Sequence, residues 1–168
     1  MKQTKYDEIG MRLVRRFGTR DPFVIAQGLG ICVYREDFKR LKGMYRVIHR
    51  RRCLFLNKHL DESTARIVCA HEIGHDRLHR DAAKDSGLSE IMLYNMASRM
   101  EYEANMVAAA ILLPDEDVLE CIYQYRYDAA QTAHALHSDV NLVALKIDSL
   151  RERGYEFHGL EHNSKFLK

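Results

Sequence analysis

The sequence predicts an α+β fold in which a small sheet containing antiparallel strands packs against helices and is followed by a helical C-terminal part. Two observations lead to this prediction. β-branched and aromatic residues are concentrated in three short runs between residues 31 and 56, as is typical of strands. Before and after these runs, apolar residues recur every three or four positions, as on amphipathic helices.

Length and composition describe one ordinary globular domain. The chain has 168 residues, of which 46% are hydrophobic and 30% are charged, and it contains only two prolines. No low-complexity linker or internal repeat divides it. We therefore expect a single domain over residues 1–168, with a core at about 21–150 and a helical C-terminal part at about 115–155.

Charge and hydropathy exclude several classes of protein. The formal net charge is +2, which is too small for a global field that attracts nucleic acid or an acidic membrane. The longest apolar run, Met106–Leu113, is too short to span a bilayer, and the N-terminal segment has no apolar core of signal-peptide length. The four cysteines form no zinc-binding pairs, so we expect reduced, mostly buried thiols in a cytoplasmic protein.

The N-terminal third is predicted to contain two helices and three strands. The first helix spans Tyr6–Phe17, because its apolar residues share one face. The second begins at Pro22, where Asp21 suits the N-cap, and ends at Gly28 or Gly30. The segments ICVYRE, GMYRVIH and CLFLN follow as strands.

Three consecutive arginines, residues 50–52, separate the second and third predicted strands. They are interpreted either as a phosphate-binding patch or as a solvated hairpin turn. The turn is favoured because no aromatic residues are interleaved with the arginines and no nucleic-acid motif accompanies them.

The rest of the chain is predicted to be helical. One helix runs from about Glu62 to about Leu78 and is followed by the polar connection HRDAAKDSGLSEIMLYN. A second helix covers Ala97–Leu113 and is stopped by Pro114. The remaining 54 residues read as two or three more helices, with Gly154 as a stop signal and a polar tail after Phe157.

The motif HEIGH, residues 71–75, is typical of a metal site on a helix. His71 and His75 are four positions apart and project from one face, from which both imidazoles can reach one zinc ion. Glu72 lies about 100° around the helix and can accept a proton from a metal-bound water without ligating the metal. The alternative is a histidine-rich face without a metal. It is disfavoured because the motif falls inside an independently predicted helix, where Gly74 permits close approach by another segment.

A catalytic zinc requires a third protein ligand, and two acidic residues on the following helix are candidates. The pattern HExxHxxGxxH is excluded, because it needs a glycine at position 78 and a histidine at position 81, where the chain has Leu78 and Asp81. Glu101 and Glu103 are two positions apart, so they cannot both face the metal. Glu101 is favoured because it shares a face with Asn105, whose amide can orient a ligand histidine.

Three further side chains near the motif are candidates to stabilise a developing oxyanion: Tyr94, Tyr102 and His79. The favoured interpretation is a packed Tyr94 with solvent-facing Tyr102 and His79. Because His79 lies about 80° around the helix from His71, it is expected to be a surface histidine, or at most a group behind the ligands.

These segments together resemble the ImmA/IrrE family of metallopeptidases. The resemblance covers about residues 21–150 and rests on CLFLN, HEIGHDRLH and EYEANMVAAAILLP, with DPFVIAQGLGICVYRED and KGMYRV upstream. It implies His71 and His75 as metal ligands, Glu101 as the third ligand and Glu72 as the general base. It also implies a gluzincin-like core, in which a small sheet packs on a zincin-like pair of metal-bearing helices.

The function implied by the resemblance is that of a zinc-dependent endopeptidase that cleaves a helix-turn-helix transcriptional repressor and so relieves repression in a mobile element, a phage or a stress response. The alternative is a non-proteolytic, metal-binding regulator that binds and inactivates the repressor, which needs the ligands but not Glu72. Manganese or iron can replace zinc at such a site. The expected partner is a protein substrate, with no direct nucleic-acid binding and no membrane; the oligomeric state is not predicted.

A third hypothesis, DNA binding, comes from the C-terminal segment YDAAQTAHALHSDVNLVALKIDSLRERG, whose apolar residues have a helix-turn-helix-like spacing. The alternative is a helical part that packs on the catalytic core or grips a partner. The packing interpretation is favoured because the segment has little net charge.

Overall fold

The computed structural model describes residues 4–81, 83, 88–90 and 99–157. Within these residues, the helices are α1 (Lys5–Phe17), α2 (Pro22–Gly28), α3 (Glu62–Leu78), α4 (Arg99–Leu112), α5 (Asp115–Tyr123), α6 (Ala129–Ala135) and α7 (Val140–Glu152). The strands are β1 (Cys32–Glu36), β2 (Gly43–Ile48), β3 (Arg51–Asn57) and β4 (Leu88–Glu90). A small sheet with a mainly helical remainder confirms the predicted α+β fold and its helical C-terminal part.

The sheet has the strand order β1-β3-β2-β4. β1 and β3 run parallel, whereas β2 is antiparallel to both of its neighbours. The sequence did not predict β4, which pairs with residues 43–45 of β2 and lies in the polar connection after α3. Three residues carry too little compositional signal, and their pairing partner rather than their own propensity makes them a strand.

The hairpin between β2 and β3 turns at two residues. His49 and Arg50 have φ angles of 47° and 65°, in the left-handed region that tight hairpin turns require. Arg51 and Arg52 already belong to β3. The prediction of a solvated turn is therefore wrong for Arg52, which pairs with the fully buried carboxylate of Asp76 at 3.2 Å. A buried carboxylate needs such a partner, and this requirement draws the guanidinium inward.

α3 is the central helix of the protein. Asp61 caps its N-terminus by accepting a hydrogen bond from the backbone N–H of Thr64, and the helix spans Glu62–Leu78 as predicted. It contacts the sheet on one side and α2 and α4 on others. Every residue from 67 to 76 is buried, so the HEIGH motif lies on the most deeply buried stretch of the helix.

α4 packs directly on α3 at Gly74. A Cβ atom at this position would lie 2.7 Å from the backbone oxygen of Ala104 and 2.8 Å from its Cα atom, so only glycine allows the two backbones to meet here. The expected close approach at Gly74 is thus confirmed. α4 ends before Pro114 as predicted; the first two residues of the predicted helix, 97 and 98, lie outside the described residues.

The C-terminal helices pack on the same core as the metal-bearing helices. α7 contacts α4, α5 and α6. Most of the apolar residues with helix-turn-helix-like spacing belong to the hydrophobic core or pack against it: Ala133, Leu136, Val140, Leu142, Val143 and Leu150. These contacts support the interpretation of the C-terminal segment as a helical part of the core rather than a separate DNA reader.

The cysteines behave as expected of structural thiols. All four are free; Cys53, Cys69 and Cys121 are buried and Cys32 is partly buried. Among the described residues, no helix is both long enough and apolar enough to cross a membrane. Tyr94 and the tail after Phe157, both named in the sequence analysis, lie outside the described residues.

Candidate metal centre

α3 carries the motif into the interior of the protein. His71, Glu72 and His75 have relative exposures of 0%, 0% and 1%. The two histidines lie one helical turn apart, and their Nε2 atoms approach to 3.0 Å. The i, i+4 spacing therefore produces the predicted pair of imidazoles aimed at one point.

α4 supplies the third group. The Glu101 carboxylate oxygens lie 3.2 Å from Nε2 of His71 and 3.4 Å from Nε2 of His75. One donor atom from each of the three side chains lies within 4.8 Å of the others. The structure thus brings together the two histidines and the acid that helix spacing favoured.

The far side of the His71 ring shows that this group of side chains fits a metal ion. Nδ1 of His71 lies 2.7 Å from Oδ1 of Asn105. An amide oxygen only accepts hydrogen bonds, so Nδ1 carries the proton and Nε2 keeps a lone pair. That tautomer is the one in which imidazole binds a metal through Nε2. The expected orienting role of Asn105 matches this contact.

His79 is not the surface histidine that was expected. Its side chain is 8% exposed, and its Nε2 atom lies 2.9 Å from Oε2 of Glu103. Its Nδ1 atom lies 3.0 Å from Nδ1 of His75. His79 lies instead behind His75, where the other interpretation placed it. Its angle around α3 does not determine its burial, because the acid that draws it inward, Glu103, comes from α4.

Glu103 faces away from the donor group. Its Oε1 atom accepts hydrogen bonds from the Tyr6 hydroxyl at 2.9 Å and from Nε of Arg99 at 2.8 Å. The side chain is 15% exposed. Glu103 therefore belongs to a hydrogen-bond network behind His75 rather than to the donor group itself.

Glu72 lies under strand β2. A Cβ atom at Gly43, the first residue of β2, would lie 3.1 Å from Oε1 of Glu72 and 2.4 Å from a methyl carbon of Val68. A side chain at this position would therefore press on α3 beside Glu72. The proximity of Gly43 to Glu72 was not predicted, because the sequence shows only that a glycine begins the strand GMYRVIH.

The electrostatics favour a neutral His75 in the donor group and an ionised Glu103 behind it. Burial lowers the pKa of His75 to about 4, against the opposing effect of Glu101. At pH 7 this histidine is neutral, which is the form that binds metal. Burial alone would raise the pKa of Glu103, but hydrogen bonds from His79, Arg99 and Tyr6 lower it to about 2.

Asp76, next to the second histidine, anchors the end of α3 to the sheet. Its Oδ1 atom accepts a hydrogen bond of 2.7 Å from the Tyr45 hydroxyl, and Arg52 and Arg80 lie 3.2 and 3.3 Å from Oδ2. Burial and the neighbouring carboxylate raise the pKa of Tyr45, so its hydroxyl remains a donor. This anchor was not predicted from the sequence.

Tyr102 differs from the solvent-facing side chain that was expected. It is partly buried, and its ring packs edge-on against Tyr6 with centroids 6.3 Å apart. This contact places Tyr102 between α1 and α4.

Comparisons with known proteins identify the family of the chain. The chain matches a peptidase family, described as the IrrE N-terminal-like domain, over residues 26–148. It is 30% identical over 105 residues to a protein of Bacillus phage phi105 described as "Uncharacterized immunity region protein 2". The aligned segment covers 62% of this chain and 65% of the phage protein, so the chain spans just under two thirds of that relative. The chain belongs to the ImmA/IrrE family of metallopeptidases.

Proposed function

We propose that the protein is a zinc-dependent endopeptidase in which His71, His75 and Glu101 hold the metal and Glu72 is the general base. The observation that carries this proposal is the meeting of three donor groups from two helices, with their donor atoms within 4.8 Å of one another. Two histidines and a glutamate are a ligand set that catalytic zinc uses in peptidases, with a fourth position left for water.

Each residue has a distinct part in the proposed reaction. His71, His75 and Glu101 would hold the zinc ion, which would supply a water molecule of lowered pKa and a Lewis acid for the carbonyl group of a peptide bond. Glu72 accepts a proton from the attacking water and passes it to the leaving amine. Asn105 holds the His71 ring through its hydrogen bond to Nδ1, which keeps Nε2 directed at the metal.

The proposed substrate is a helix-turn-helix transcriptional repressor, which cleavage would inactivate. Two findings support this choice: the family to which the chain belongs, and a relative whose name refers to the immunity region of a phage. A repressor substrate would set the site of action in the cytoplasm. The same ligands would bind iron or manganese more weakly than zinc, and metal analysis of the purified protein distinguishes the three.

The experiment that tests the proposal is intact-mass analysis of the repressor encoded nearest this gene, after incubation with zinc-loaded protein. We expect two discrete fragments with the wild type. Glu72→Gln should retain zinc but cleave at least about 100-fold more slowly, because it has lost the proton acceptor. Glu62→Gln, an exposed substitution at the start of the same helix, is the matched control and should cleave as the wild type does.

The outcomes separate the two functional hypotheses. Equal cleavage by wild type and Glu72→Gln would show that Glu72 is not the general base. A repressor that is bound and inactivated but left intact by both proteins would support the non-proteolytic regulator. Loss of zinc from a Glu101→Gln variant, with zinc still bound but more weakly by Glu103→Gln, would distinguish the ligand from the nearby acid.

A further inference from the structure

We propose that His79 and Glu103 are positioning residues: Glu103 orients His79, and His79 orients the ring of His75 so that its Nε2 atom faces the metal. This inference rests on the proposed metal site. It assigns a role to two residues that helix spacing left without one.

The contacts form a continuous chain from α4 back to the ligand. Oε2 of Glu103 lies 2.9 Å from Nε2 of His79, and Nδ1 of His79 lies 3.0 Å from Nδ1 of His75. On its other side, Nε2 of His75 lies 3.4 Å from Glu101. Every link is at hydrogen-bonding or near-contact distance, so the orientation of one ring constrains the next.

Metal binding by His75 through Nε2 sets the direction of these bonds. A neutral ring that binds a metal through Nε2 carries its proton on Nδ1, and Nδ1 of His75 lies 3.0 Å from Nδ1 of His79, which can accept that proton. The Glu103 carboxylate only accepts, so Nε2 of His79 donates to it.

Glu103 is itself held in a single orientation. Its Oε1 atom accepts from Tyr6 and Arg99, which leaves Oε2 to face His79. Tyr6 reaches this acid from α1, so three helices converge on the chain of contacts. The side chains of His79 and Glu103 are 8% and 15% exposed, and low exposure strengthens such hydrogen bonds.

The two ligand histidines are therefore supported differently. His71 is held by the neutral amide of Asn105, whereas His75 is held through a second ring by a carboxylate. A carboxylate behind a ligand histidine also makes the ligand nitrogen a better donor to the metal. The structure thus assigns to His79 and Glu103 a contribution to metal affinity, and not only to packing.

The test is zinc affinity, measured on the full chain by competition with a chromophoric chelator. We expect Glu103→Gln and His79→Ala each to raise the Kd for zinc by about 10- to 100-fold. The visible absorption of the cobalt-loaded protein should change in both variants, because the ligand geometry loosens. Glu116→Gln and His134→Ala, two exposed substitutions on other helices, are the matched controls and should leave both readouts unchanged.

Each outcome decides the proposal. Folded variants that bind zinc with the wild-type Kd and give the wild-type cobalt spectrum would overturn the positioning role and leave the peptidase proposal intact. A wild type that binds no zinc would overturn both. Thermal unfolding of the metal-free proteins shows whether each variant is folded. If one of the two variants does not fold, the zinc affinity of the other variant tests the proposal, because it alters the opposite end of the same contact.

Discussion

Asp115, the first residue of α5, pairs with two buried cations. Its carboxylate oxygens lie 2.5 Å from Nζ of Lys146 and 2.7 Å from Nη1 of Arg153, whose side chains are 2% and 6% exposed. Burial raises the pKa of Asp115, but hydrogen bonds from Arg153 and Lys146 outweigh it and lower the pKa to about 2. One acid therefore compensates two charges that would otherwise be buried without a partner.

We expect Asp115→Asn to be about 2–4 kcal/mol less stable than the wild type at pH 7. The folded pKa is depressed from 3.8 to about 2, so this stabilisation is complete above pH 3.8 and is lost as the pH falls through 2. This pH-dependent part of the stability amounts to about 2 kcal/mol. Urea unfolding at pH 7, 4 and 3 measures how much of it is lost as the pH falls. Asp117→Asn, an exposed neighbour, is the control. A difference in stability that stayed constant across this pH range would contradict the prediction.

Individual residues were predictable where their chemistry depends on spacing along one helix. His71 and His75 meet because they are four positions apart, and Glu101 was preferred over Glu103 because it shares a face with Asn105. The partnership of His79 with Glu103 was not predictable, because it joins two helices and depends on how they cross. The ligand and base roles remain predictions until metal binding and cleavage are measured.

At the scale of elements, the crossing of α3 and α4 determines whether the donor groups meet. The helices approach closely at Gly74, where the backbone of Ala104 occupies the space that a side chain would need. His75 follows Gly74 directly, and Glu101 lies one turn before Ala104. Any separation of the helices at this point therefore moves Glu101 away from the histidines.

We expect Gly74→Ala to destabilise the protein by about 1–3 kcal/mol. Alanine has the higher helix propensity, but its Cβ atom would lie within 2.8 Å of backbone atoms of Ala104, which cannot rotate away as a side chain can. Zinc affinity should fall as well. Chemical unfolding and chelator competition measure the two effects, with Glu62→Ala at the exposed start of α3 as control. A more stable variant would show that the helices can separate at little cost.

Helices and strands with a clear pattern in their own sequence were predictable. Elements that form only by pairing with another segment were not. α3 was predicted at about Glu62 to Leu78 from its long apolar period, and the structure adds the cap at Asp61. β4 was missed because a three-residue strand exists only through its pairing with β2. The strand order β1-β3-β2-β4 was also not predictable, since the segments do not encode which neighbour β3 joins.

At the scale of the whole molecule, the two donor helices pack into the hydrophobic core. Buried apolar residues of α3 and α4 belong to one cluster with residues of the sheet and of α7. We therefore expect the zinc-free protein to keep its helical circular dichroism but to unfold at a lower temperature. Zinc at about 1,000 times its Kd would add about 4 kcal/mol. Calorimetry with and without a chelator tests this, and loss of the helical signal on chelation would indicate a metal-dependent fold.

The position of α1 determines how far the protein can be shortened from its N-terminus without losing the fold. α1 lies before the family-matched residues 26–148, yet Leu13 is 4% exposed within the core and Tyr6 reaches Glu103. A boundary drawn at residue 26 would expose the face of α4 that α1 covers and remove a support of the metal-bearing helices. The segment that folds as a unit is therefore longer than the region of family similarity. A fusion or a chimaera made with this domain has to include α1.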